Sequence, residues 1–154
     1  MADYSQSKTV TSVDLGFILS DTARLMRRNF NRQVQSLNLT QAQWQILVLL
    51  GRHEGLRQVQ LADALELQPI SIARLIDRMQ VAGWVERRPD PNDRRAVRLF
   101  LTEQANPILD QMRQHSALMH EQALEGIDAT DQAELLQLLL QIRENLANAG
   151  DSLA

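Results

Sequence analysis

Between Gly83 and Leu101 the hydrophobic period of the chain changes from helical to two. Trp84-Val85-Glu86-Arg87-Arg88 reads as one strand, and Val97, Leu99 and Leu101 alternate with Arg98 and Phe100 in a second. Pro89-Asp90-Pro91-Asn92-Asp93 between them is a dense turn signal. The pattern predicts a β-hairpin with arginines at its tip and sides, set in a chain whose other periodic segments are helical.

Asp14 to Ser36 follows a helical period through Leu15, Ile18, Leu19, Leu25, Met26, Phe30 and Val34, and Leu37-Asn38-Leu39 breaks it. Thr40 and Gln43 have capping-box spacing, and Leu39 and Trp44 have staple spacing, so a second helix opens there. Two short helices follow. The first carries Val59, Leu61, Ala62 and Leu65; Pro69 suits the first turn of the second, which repeats through Ile72, Leu75, Ile76 and Met79 and stops at Gly83. Beyond the hairpin, Thr102 begins a long helix through about Glu125, with Pro107 tolerated near its start. Asp128-Ala129-Thr130-Asp131 caps a last helix through about Leu146.

Two short helices joined by a tight turn and followed by a hairpin describe a winged helix-turn-helix. The expected fold is mostly α with a small β-hairpin wing, its core flanked by N- and C-terminal helices. The second short helix is the natural recognition helix, because a helix fits the major groove of DNA. Its apolar stripe serves the core, which leaves Gln68, Pro69, Ser71, Arg74, Asp77 and Arg78 outward. The last helix raises a different demand. Leu135, Leu138, Leu139, Ile142 and Leu146 form one stripe, and Leu136 and Leu140 widen it beyond what one-sided packing covers. A second copy of the chain would supply the missing surface.

Net charge is −3, which by itself argues against a nucleic-acid partner, but the average hides a division. Residues 52–98 carry nine Arg against seven acids, whereas residues 99–154 carry two Arg against nine acids. Of the 16 basic residues 15 are Arg, the side chain suited to bidentate phosphate and guanine contacts. The absence of cysteine excludes disulfides, thiol catalysis, zinc–thiolate sites and thiol redox sensing. The six glycines form no nucleotide-binding loop, and His53, His115 and His120 do not assemble a metal site. No catalytic grouping of carboxylates stands out, so neither an enzyme, a cofactor nor a metal is expected. Apolar runs such as Ile46 to Leu50 are too short to span a bilayer, and residues 1–10 are polar, so a cytoplasmic protein without membrane contact is expected.

The stretch from Gly83 through Asp90-Pro91-Asn92-Asp93-Arg94-Arg95 to Leu101-Thr102 resembles the wing signature of MarR-type regulators. Leu39 to Trp44 is similar to that family's second helix, and Leu61-Ala62-Asp63-Ala64-Leu65 to its first helix-turn-helix element. The match in order and spacing runs over roughly residues 14–148. The resemblance implies a homodimer that reads a pseudo-palindromic operator and most often represses. It divides the chain into a flexible tail over 1–11, dimerisation helices over 12–38 and 103–148, and a winged helix-turn-helix over 39–102. The DNA-binding set becomes Gln68, Pro69, Ser71, Arg74, Arg78, Arg88, Arg94 and Arg95. Arg94 is taken as the minor-groove contact and Arg95 as the partner of a wing-stabilising Asp93, a choice the sequence leaves open. The resemblance also implies a cleft for a small aromatic or lipophilic acid effector, for which Phe17, Arg24 and Trp44 offer aromatic walls and a cation. A winged-helix protein-interaction module without sequence-specific DNA binding is the alternative, since fold alone does not determine function.

Overall fold

The computed structural model describes residues 12–151, and the tail expected over 1–11 lies outside them. Its elements are α1 (Ser12–Gln33), α2 (Gln41–Arg52), α3 (Gln58–Leu65), α4 (Pro69–Val81), β1 (Val85–Asp90), β2 (Asp93–Leu101), α5 (Asn106–Ala123) and α6 (Ala129–Asp151). The chain divides into two compact units, Met1–Ala117 and Leu118–Ala154.

In the first unit, α1 tightens into a 3-10 turn over Val34–Leu37, and Asn38 takes the left-handed conformation at φ 54°. Asn tolerates that region better than most residues, so the break falls where Leu37-Asn38-Leu39 predicts it. Thr40 then caps α2 as expected. Its hydroxyl accepts from the Gln43 backbone N–H at 3.3 Å, and the Gln43 side-chain oxygen accepts from the Thr40 N–H at 2.9 Å. Glu66, also left-handed at φ 52°, ends α3. Pro69 occupies the first turn of α4, and the two helices are joined within three residues.

The core of this unit is a single apolar cluster. Ile46, Leu47 and Leu50 from α2, Leu61 from α3, Ile72, Ile76 and Met79 from α4, and Val85 and Leu99 from the strands are all buried. Truncating any of these to alanine costs about 2–5 kcal/mol in typical cores.

The hairpin departs from the sequence expectation in one respect. β1 does not stop at Arg88 but continues through Pro89 and Asp90, with Asp90 opposite Asp93 and a register irregularity between Pro89 and Asp90. Only Pro91 and Asn92 form the turn. An outer strand tolerates proline, because its N–H is not needed by a neighbour. Leu56 adds an isolated bridge to Leu99, with Leu99 donating to the Leu56 carbonyl at 2.9 Å. Gly83 sets the entry to the wing. It sits at φ +78°, a left-handed backbone that favours glycine, and a Cβ there would also displace the flexible end of the Gln104 side chain. The Thr102 hydroxyl donates to the Gly83 carbonyl, closing the base of the hairpin.

The long helix expected from Thr102 starts later. A 3-10 turn spans Glu103–Ala105, and α5 begins at Asn106 with Pro107 in its first turn, where the lost N–H is harmless. In the second unit, the Asp128 carboxylate accepts from the backbone N–H groups of Thr130 and Asp131 at 2.8 and 2.9 Å, capping α6. That helix runs to Asp151 rather than stopping near Leu146, because Ala147-Asn148-Ala149 contains no breaker. Leu135, Leu136, Leu138, Leu139, Leu140 and Leu146 are exposed along it.

Candidate nucleic-acid interface

Eight of the nine arginines in residues 52–98 fall into two groups, with Arg52, at the end of α2, outside both. Arg57, Arg87, Arg88 and Arg98 are committed to acids within the fold. Arg74, Arg78, Arg94 and Arg95 are exposed and have no ion-pair partner among the described residues.

The first group builds the wing around Asp90, the one buried polar or charged residue among those described. Its carboxylate accepts from the Arg57 guanidinium at 2.7 Å, from Arg98 at 2.8 Å and from the Asn92 backbone N–H at 2.9 Å. The clamp thus joins the start of α3, the hairpin turn and β2. The Asn92 N–H and the two guanidiniums hold the Asp90 carboxyl far below the usual carboxylate range, and Asp90 in turn raises the pKa of Arg57. A carboxylate depressed on folding stabilises fully above its unfolded pKa, about 3.9 for Asp, and loses that contribution as pH falls below it. In thermal melts, the stability gap between wild type and Asp90→Asn is therefore expected to be constant near neutrality. It should shrink as pH drops from about 4 toward 2; a gap that widens on acidification would refute the clamp.

Arg87 ties the wing to α4, donating to Asp77 at 2.6 Å and to Gln80 at 2.5 Å. Arg88, expected among the DNA contacts, donates to Glu86 at 2.7 Å and lies over the Phe100 ring with its Cζ 4.4 Å from the centroid. Its charge is compensated on the face of the sheet. The Asp93 carboxylate receives the Arg95 backbone N–H at 3.0 Å and comes within 3.9 Å of Arg57. The structure shows this backbone bond in place of the expected Asp93–Arg95 side-chain ion pair, and the cation nearest the Asp93 carboxylate is Arg57. Asp90, expected in the turn, holds the wing from inside.

The second group lies on two surfaces. Gln68, Pro69, Ser71, Arg74 and Arg78 are exposed on α4, and Arg94 and Arg95 are exposed at the wing tip. Both are solvated, uncompensated and cationic, an arrangement able to bond phosphate oxygens and base edges.

The residues proposed for an effector are not brought together. Arg24 lines a cleft with Arg27, Arg28, Asn31, Arg32 and Gln41, and neither Phe17 nor Trp44 contributes to it. Trp44 packs edge-on against Phe30 at 4.7 Å between centroids and donates its indole N–H to Asn31 at 2.6 Å. Phe17 is 61% exposed two turns before Arg24, and Arg24 is paired with Asp21 at 2.5 Å.

The sequence model of the MarR family matches residues 39–97. The chain is 34% identical to the transcriptional regulator PA3341, with a TM-score of 0.76 over 87% of this chain and 98% of that one. It is 27% identical to wild-type MarR from E. coli in its apo form, with a TM-score of 0.73 over 88% and 98%. A mutant of the same E. coli protein, complexed with operator DNA, is 28% identical with a TM-score of 0.68 over 88% and 99%.

Proposed function

The chain belongs to the MarR family of transcriptional regulators, and from that premise we propose that it acts as a homodimeric repressor on a pseudo-palindromic operator. The observation that carries this reading is the sorting of the arginines. Those inside the wing are neutralised, while Arg74, Arg78, Arg94 and Arg95 are left for a polyanion. In this reading α4 lies in the major groove with Gln68, Pro69, Ser71, Arg74 and Arg78 toward DNA, and the wing tip reaches the minor groove with Arg94 or Arg95. Arg88 supports the sheet rather than the contact. The exposed apolar residues of α1 (Leu15, Ile18 and Leu25) and the leucines of α6 are covered by the second subunit. The exposed apolar area is far larger than scattered surface residues account for, which supports dimerisation.

Repression follows from occupancy of a promoter, and an effector acts by favouring one separation of the two winged domains over another. The α1 cleft is lined by Arg24, Arg27, Arg28 and Arg32 and lacks an aromatic wall, so an effector seated there would be an anion held by charge-assisted bonds. Salicylate-like acids should release DNA from wild type and not from Arg28→Ala if that cleft is the effector site.

The reading is tested by binding titrations on the protein's own upstream region and on random duplex. Arg74→Ala is expected to weaken specific binding by about 1–3 kcal/mol if the guanidinium reads a base. If it meets phosphate alone, both duplexes weaken alike and the salt slope shrinks by about one. Unchanged affinity on every duplex would remove Arg74 from the interface.

A further inference from the structure

The exposed face of α4 is not entirely polar. Ile72, Ile76 and Met79 are buried, and at 3.6 residues per turn the opposite side of the helix carries Ile70, Arg74, Asp77 and Val81. Ile70 is 63% exposed one turn from Arg74, close to the helix N-terminus and flanked by exposed Gln68 and Ser71. Nothing in the chain alone rewards an isoleucine there. It buries little area, and a β-branched side chain is a poorer helix former than alanine.

What covers it is constrained by its neighbours. Arg74 and Arg78 lack ion-pair partners among the described residues, and Asp77 is compensated by Arg87 at 2.6 Å. A surface that accepts Ile70 must therefore also accept two uncompensated guanidiniums. A DNA major groove does so, with phosphates along both walls. An isoleucine side chain offers no hydrogen bond, and the apolar group on the major-groove edges of the bases is the thymine C5 methyl.

We propose that Ile70 reads the C5 methyl of a thymine in each operator half-site, beside the contacts of Arg74. This rests on the DNA-binding reading above and adds a specificity determinant to it. Ile70 has no role in holding the fold, so Ile70→Ala leaves the melting temperature unchanged or slightly raised while relaxing specificity. Val81, 91% exposed on the same side, lies about 16 Å along the axis toward the C-terminal end. Recognition helices contact base edges through their N-terminal residues, so Val81→Ala serves as a matched apolar truncation outside the contact.

The experiment is a thymine-to-uracil scan of the operator selected by the wild-type protein from random duplex. Uracil removes the methyl and leaves base pairing and the polar edges intact. Wild type is expected to lose about three- to fivefold in affinity at one symmetric position per half-site, the size of one methyl contact. Ile70→Ala, which removes the contact from both half-sites of the dimer, should bind the thymine operator about ten- to twenty-fivefold more weakly and show no further loss with uracil, while Val81→Ala behaves as wild type. Equal wild-type affinity for thymine and uracil at every position would overturn the proposal, as would full uracil sensitivity in Ile70→Ala. Either result leaves the DNA-binding reading standing if a specific operator is bound. Failure to select any duplex sinks that reading, and the Ile70 assignment with it.

Discussion

Leu139→Glu is expected to turn the protein into a monomer and to reduce operator affinity by about 10²–10⁴-fold, the loss that follows when two linked half-site contacts become one. Leu139 lies in the middle of α6 among leucines that are exposed in the single chain. There a carboxylate would be solvated. In the proposed dimer it would be buried without a partner, which is strongly unfavourable. Sedimentation at micromolar concentration separates the two cases, and circular dichroism reports whether the helices survive. A dimer that persists with full operator affinity would show that this face of α6 is not the subunit interface.

Asp90→Ala is the second large effect. It removes the acceptor shared by Arg57, Arg98 and the Asn92 N–H. The cost is the loss of these charge-assisted hydrogen bonds and of the acceptor for the Asn92 N–H, partly offset because the part-exposed Arg57 and Arg98 regain water. The hydrophobic core of α2, α3 and α4 does not depend on it, so the variant should fold, melt at lower temperature and present a loosened wing tip. Operator affinity is expected to fall by about tenfold or more, since positioning a contact and making it are both needed for its gain. Proteolysis should find new cleavage near Arg94 and Arg95. An intact wing with unchanged affinity would show that the hairpin pairing alone orients the tip.

Much of this architecture was legible because its signals are local. The capping box of Thr40 and Gln43, Pro69 at a helix start and the change of period at Gly83 each act over a few residues, and each appears where expected. The inner face of α4 followed from spacing alone. The Asp90 clamp did not, because Arg57 and Asp90 are 33 residues apart and pairing at that distance has no local signature. Asp90 and Asp93 both neighbour the Pro91-Asn92 turn, so composition could not tell the buried acid from the exposed one. Ile70 has no signature of either kind, since it lies off the apolar stripe of α4 and carries no polar group that would mark it as a DNA contact. The grouping of Phe17, Arg24 and Trp44 rested on residue type. Phe17 and Arg24 do share a side of α1, but the Trp44 indole turns to Phe30 and Asn31, one to two turns further along.

The most direct measurement is the ratio of affinities for a selected duplex and for random duplex, taken across a salt series. The account expects a pseudo-palindromic sequence bound at least about 10³-fold more tightly than random DNA near physiological salt. Replacing both Arg94 and Arg95 by alanine should erase a large part of that binding while leaving the melting temperature near the wild-type value. Equal affinity for selected and random duplex at every salt concentration would contradict the account.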